Sequence, residues 1–172
     1  LGHMAGNLMN LCNPGSRSAA FIGSKDVFAQ SNSMNCFAET LEAHGAEMTV
    51  AYETRVENRI SSLLTENLVA NYPDVTGIFV GVSQSLGVIE KLEQNGILDK
   101  YKIITVDTYP EIMAHLKQGS IVATLDRHPC RMGQVALYVL YQYLVNGVRP
   151  ERNILVPPSV ILPAVCEEYQ MD

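Results

Sequence analysis

Five times along the chain a short apolar run gives way to residues that can hydrogen-bond or carry charge: Gly23-Ser24, Thr54, Ser83, Asp107 and Asp126-Arg127. Asp107 is the clearest case. It follows the β-rich run from Lys102 to Val106 (KIITV) and precedes Thr108, Tyr109 and Pro110, where a new segment opens. An acid directly after such a run reads as the residue emerging at the rim of a buried parallel strand. In open α/β sheets ligands bind just outside the carboxyl ends of the strands. A carboxylate accepts from paired hydroxyls, and the guanidinium of Arg127 donates in a planar fork. Tyr109 offers an apolar face to a ring. The chemistry on offer is recognition of a small hydroxyl-rich molecule.

Each of these residues also has a purely architectural use. Asp107 can cap the helix that Pro110 opens, and Arg127 can pair with Asp126 or Glu111. Ser83 can be the N-cap of the helix that follows it. Tyr109 can pack on the surface.

Catalysis finds less support. There is no G-x-S-x-G elbow, no phosphate-binding loop of the G-x-x-x-x-G-K-[ST] type and no G-x-G-x-x-G. Ser83 lies in GVSQS, without the second glycine. A reaction run by Asp126 and His128 is the one enzymatic reading left, and the expectation is that the protein is not an enzyme. His3, His44, His115 and His128 are isolated, and Cys12, Cys36, Cys130 and Cys166 form no Cys-x-x-Cys pair. Neither a metal nor another cofactor is expected. The four cysteines read as reduced, buried thiols, which suits a reducing cytoplasm as the expected location.

The elements that must position these residues alternate along the chain. Helical spacing covers Leu1 to Leu11, with Met4, Leu8 and Leu11 on one side. Ser18 to Ile22 reads as a strand, and a helix runs from near Val27 to Ala43 with Met34, Phe37, Ala38 and Leu41 as its stripe. Met48 to Tyr52 is a second strand. A third helix carries Val56, Ile60, Leu63, Leu64 and Leu68. Then come the strand Gly77 to Val80, the helix through Leu86, Val88, Ile89 and Leu92, and the Lys102 strand. A short helix from Pro110 to Gln118 leads to the strand Ile121 to Leu125. The longest helix follows, with Met132, Val135, Ala136, Val139, Leu140, Tyr143 and Leu144 in its stripe. The tail is extended and interrupted by Pro157-Pro158, which confines it to an edge or a crossover. This alternation predicts an α/β fold with a doubly wound, helix-covered parallel sheet.

The 172 residues are 47% hydrophobic and 17% charged, with net charge −6, which is ordinary globular composition. No lysine or arginine cluster exceeds two residues, which argues against a nucleic-acid surface within the chain. No run approaches the roughly 18 apolar residues of a membrane span, and no membrane partner is expected.

Four segments together resemble the effector-binding domain of the lac-repressor family, a periplasmic-binding-protein-like type I fold. They are VTGIFVGVSQSLGVIEKLEQNGI, YKIITVDTYPE, GSIVATLDRHPCRMGQVALYVLYQYLVNGVRP and NILVPPSVILPA. The resemblance implies two α/β lobes with a small ligand between them. Residues 1–16 would hold the last helix of the first lobe, and 17–125 would form the second. Residues 126–150 would carry a crossover and a long helix returning to the first lobe, and 151–172 the closing crossover strands. The chain would then be a fragment, N-terminally truncated, that lacks a DNA-binding headpiece. Asp107 matches the family's sugar-binding acid. Arg127 falls at a crossover position where a polar ligand contact, often glutamine, is expected. Ser33 stands where the family has an arginine that grips the ligand. Gly81 falls near a usual asparagine or aspartate, so Ser83 or Gln84 would substitute. The implied partners are a carbohydrate-like effector, operator DNA through the missing headpiece, and a second copy in a homodimer. A periplasmic solute receptor for a transporter or sensor is the alternative.

Overall fold

The computed structural model describes residues 1–83, 85–166 and 169. Among the described residues six α-helices and six strands follow one another as α1 (Gly2–Cys12), β1 (Arg17–Ile22), α2 (Phe28–Ala43), β2 (Glu47–Glu53), α3 (Asn58–Asn71), β3 (Val75–Val80), α4 (Ser85–Gln94), β4 (Lys102–Val106), α5 (Pro110–Gln118), β5 (Ala123–Asp126), α6 (Pro129–Asn146) and β6 (Ser159–Ile161). They build one six-stranded sheet in the order β2-β1-β3-β4-β5-β6. The first five strands are parallel. The tail strand β6 is antiparallel to β5 and holds the edge, as its preceding prolines require.

Both faces of the sheet are covered, so its central strands are apolar on both sides. Residues of one parity, including Phe21, Ile78, Val80 and Ile103, join Leu68, Val88, Ile89, Leu92, Ile112 and Leu116 beneath α3, α4 and α5. Residues of the other parity, Ala20, Phe79, Ile104 and Leu125, pack with Ala5, Met9, Phe37 and Leu41 of α1 and α2.

The resemblance implied that residues 1–16 close a preceding lobe; here α1 packs in the second layer of this sheet. Helix α1 belongs to this body. Its fully buried residues are Gly2, Ala5, Gly6 and Met9; of the Met4, Leu8 and Leu11 stripe, Met4 and Leu8 pack half-buried against the same core and Leu11 is 79% exposed. Small residues let the helix lie almost backbone to backbone on α2. A Cβ on Gly2 would fall 1.9 Å from the Ser33 carbonyl oxygen, and one on Gly6 would fall 2.6 Å from Thr40 Cβ. His3 Nδ1 also lies 2.9 Å from Thr40 Oγ1.

Two further differences are local. Val56 is not in α3: Arg55 and Val56 take left-handed backbone angles, and the helix starts at Asn58. Leu63 of the expected α3 stripe is exposed. Helix α6 has no buried residue, and Leu137, Tyr138, Leu140, Tyr141 and Leu144 all face outward.

Candidate functional site

Strands β3, β4 and β5 are neighbours and parallel, so their carboxyl ends lie side by side. The residues just past those ends are Ser83, Asp107 and Arg127. Their proximity follows from strand order alone.

Asp107 is pinned through its backbone. Its N–H donates to the Leu125 carbonyl at 3.0 Å, and its own carbonyl accepts from Thr124 Oγ1 at 2.6 Å. Between these anchors φ is +72°, a left-handed angle that aspartate tolerates better than most residues. The bend turns the carboxylate onto the rim. Arg127 Nε donates to Oδ1 at 2.8 Å and Nη2 to Oδ2 at 2.6 Å, a two-pronged ion pair. Ser83 Oγ donates to Oδ2 at 2.9 Å. The Asp107 side chain is 13% exposed and that of Arg127 is 42% exposed.

The architectural alternatives are thereby settled for three residues. Asp107 does not cap α5, whose N-cap is Tyr109 without a side-chain bond. Arg127 pairs with Asp107 rather than Asp126 or Glu111. The hydroxyl of Ser83 bonds the Asp107 carboxylate, not the first turn of α4.

An open depression of about 570 Å³ lies over this cluster, lined by Asp107, Thr108, Tyr109, Pro110, Asp126, Arg127, Pro129 and Met132. Tyr109 is 43% exposed there, free to offer its ring. Ser33 is elsewhere. It is buried in the α1–α2 contact with its Oγ unpartnered, so it contributes nothing to the cluster. Gln84 lies outside the described residues, as do residues 167–168 and 170–172 of the expected closing segment. The polar ends of β1 and β2 serve their own loops. Ser24 N–H donates to Gln30 Oε1 at 2.7 Å, and buried Thr54 N–H donates to the Ile22 carbonyl at 2.7 Å.

A second polar group ties the tail to the sheet. Asp126 is buried; its Oδ1 accepts the His128 backbone N–H at 3.0 Å, and its Oδ2 accepts the Tyr169 hydroxyl. His128 Nδ1 lies 3.0 Å from Asp126 Oδ2, and Nε2 lies 2.8 Å from Ser159 Oγ. The order carboxylate, imidazole, hydroxyl resembles that of a serine nucleophile's relay. Of the three, only Asp126 lines the depression. The group works geometrically as a clasp between the start of α6 and β6. Sequence reasoning missed Ser159 and Thr124, since nothing in their local sequence signals partners so far along the chain.

The periplasmic binding protein domain model matches residues 1–147. The chain belongs to this family. No curated protein matches it. Among solved structures, this periplasmic binding protein domain is similar to GanP, a glucose-galactose binding protein from Geobacillus stearothermophilus, with TM-score 0.88 and 23% identity over 95% of this chain and 59% of that one. It is also similar to a periplasmic solute binding protein of an ABC transporter from Actinobacillus succinogenes with bound D-allose (TM-score 0.87, 17% identity, 98% and 59% covered). A periplasmic ribose ABC transporter protein from Conexibacter woesei gives TM-score 0.87 at 20% identity, covering 97% and 57%. At such identities the likeness shows the fold. The chain spans under three fifths of the length of these three.

Proposed function

We propose that this domain is one wall of a receptor for a small sugar-like ligand, held over the carboxyl ends of β3, β4 and β5. The observation that carries the reading is Asp107: an acid on a left-handed bend, fixed by Thr124, Ser83 and Arg127, beside the exposed ring of Tyr109. The similar solved proteins that bind or transport sugars support it. In this reading α6 returns to a first lobe and the tail closes the crossover between lobes. The protein binds without a catalytic step. Asp107→Asn keeps the size and the left-handed tolerance but removes the charge, and in the full-length protein it is expected to weaken the best sugar by more than about tenfold. Calorimetric titration measures this, and unchanged affinity would remove Asp107 from the site.

Service to a transporter or sensor is the role we favour, since two of the similar solved proteins are named as parts of ABC transporters. The effector domain of a cytoplasmic, dimeric transcriptional regulator is the second reading. One observation favours it: no disulfide joins any of Cys12, Cys36, Cys130 and Cys166. A helix-turn-helix ahead of these residues in the full-length protein would support the regulator and its operator-DNA partner. A signal peptide would support the receptor.

A further inference from the structure

The hydrogen-bonding capacity around the depression is unbalanced. Two carboxylates border it, and each of their four oxygens already has a partner. Asp107 Oδ1 takes Arg127 Nε, and Oδ2 takes both Arg127 Nη2 and Ser83 Oγ. Asp126 Oδ1 takes the His128 N–H, and Oδ2 takes the Tyr169 hydroxyl. A carboxylate has about four lone-pair sites, and three of those on Asp107 are used. Paired hydroxyls of a neutral sugar would therefore compete with Arg127 for this acid.

Arg127 is in the opposite condition. Its Nε/Nη2 edge is filled by Asp107. Its end-on edge, Nη1–H with the second Nη2–H, makes no hydrogen bond to any described residue. That edge is a second planar fork, of the shape that receives a carboxylate bidentately. Arg127 is also the only cationic side chain among the lining residues, and α2 supplies none, since Ser33 is buried beneath α1. Tyr109, Pro110, Pro129 and Met132 give the surroundings an apolar surface for a carbon skeleton.

We propose that the site selects a hydroxylated carboxylic acid, a sugar acid, whose carboxylate seats on the free fork of Arg127. This rests on the sugar-receptor reading and narrows its ligand class. The guanidinium would stand between the two carboxylates, so neither faces the other without an intervening cation. Hydroxyls of the ligand take the one acceptor site left on Asp107.

The test is calorimetric titration of the full-length protein with matched pairs: D-galactose and D-galacturonate, D-glucose and D-glucuronate, D-xylose and D-xylonate. The acid of the preferred pair is expected to bind at least about tenfold tighter than its neutral partner. Arg127→Gln frees Asp107 and removes the fork, so the preference should invert toward the neutral sugar. Arg127→Lys keeps the charge without the fork and should lose most of the preference. Melting curves of both variants verify that they fold. A neutral sugar bound as tightly as its acid by the wild type overturns the inference and leaves the sugar reading standing. Tighter binding of galactose 1-phosphate than of galacturonate overturns the carboxylate assignment. Binding of no member of any pair overturns the sugar reading and the inference with it.

Discussion

Asp107 carries two demands at once, a charge for the rim and a backbone angle of φ +72°. Substitution by alanine would test both together, because left-handed backbone costs most L-residues roughly 1–2 kcal/mol. Thr124 offers a cleaner separation. Its hydroxyl donates 2.6 Å to the Asp107 carbonyl, and the residue is buried outside the lining of the depression. Thr124→Val is expected to cost about 1–3 kcal/mol of stability, since it leaves a partly buried carbonyl unpaired. Urea unfolding reads that loss directly, and a change under a few tenths would show the bond to be dispensable. The position of Asp107 at the end of β4 was legible in the sequence, because an acid ending a β-rich run announces a strand rim. The partner of Arg127 was not legible. Asp126 and Glu111 were the candidates in the sequence, and Asp107 came within reach only because strand order puts β4 beside β5.

Helix α1 shows the limit of apolar periodicity. Met4 and Leu8 of the stripe pack only partly against the core and Leu11 is exposed, while the fully buried face is built on Gly2, Ala5, Gly6 and Met9. Close approach to α2 outweighs side-chain size. Two glycine substitutions turn this into a test of sign. At Gly133 in α6 nothing lies within 4 Å of an added Cβ, so Gly133→Ala should stabilise the chain by about 0.5–1 kcal/mol through helix propensity. At Gly6 the same propensity gain meets Thr40 Cβ at 2.6 Å. Overpacking there should win by about 1–3 kcal/mol, and Gly6→Ala should destabilise. Two stabilising outcomes in denaturant titrations would mean that α1 is loosely held. The other helices and the core strands were readable from apolar spacing to within a few residues. The start of α3 was not, because Val56 matches the helical stripe but sits in a left-handed turn.

Taken whole, the molecule has an apolar, two-sided core and one helix with no buried residue. Helix α6 is apolar nearly all round, a pattern that belongs in an interior. In the 172-residue chain its Leu137, Tyr138, Leu140, Tyr141 and Leu144 are outward. This chain is therefore expected to bind an apolar-surface dye strongly and to self-associate with rising concentration. Sedimentation velocity of the chain against a variant with Leu137→Lys and Leu144→Lys reads the difference; a wild type that stays monomeric throughout would count against it. The long apolar stripe of α6 was plain in the sequence. Its lack of cover was not, because periodicity says which face wants burial and is silent on whether anything lies against it.

The clasp at the edge also has a consequence for how the chain assembles. Strands β1 to β5 are complete by Asp126, but the groups that hold Asp126 and His128 arrive much later, at Ser159 and Tyr169. A chain emerging from the ribosome would build five strands and then wait through all of α6 before β6 could close them. During that interval the outer edge of β5 is an open template for strand addition. Long-range closure of this kind is slow relative to the local helices. The three residues of β6 thus close that exposed edge, and Ser159 among them brings His128 its partner in the same step, while Asp126 waits for Tyr169.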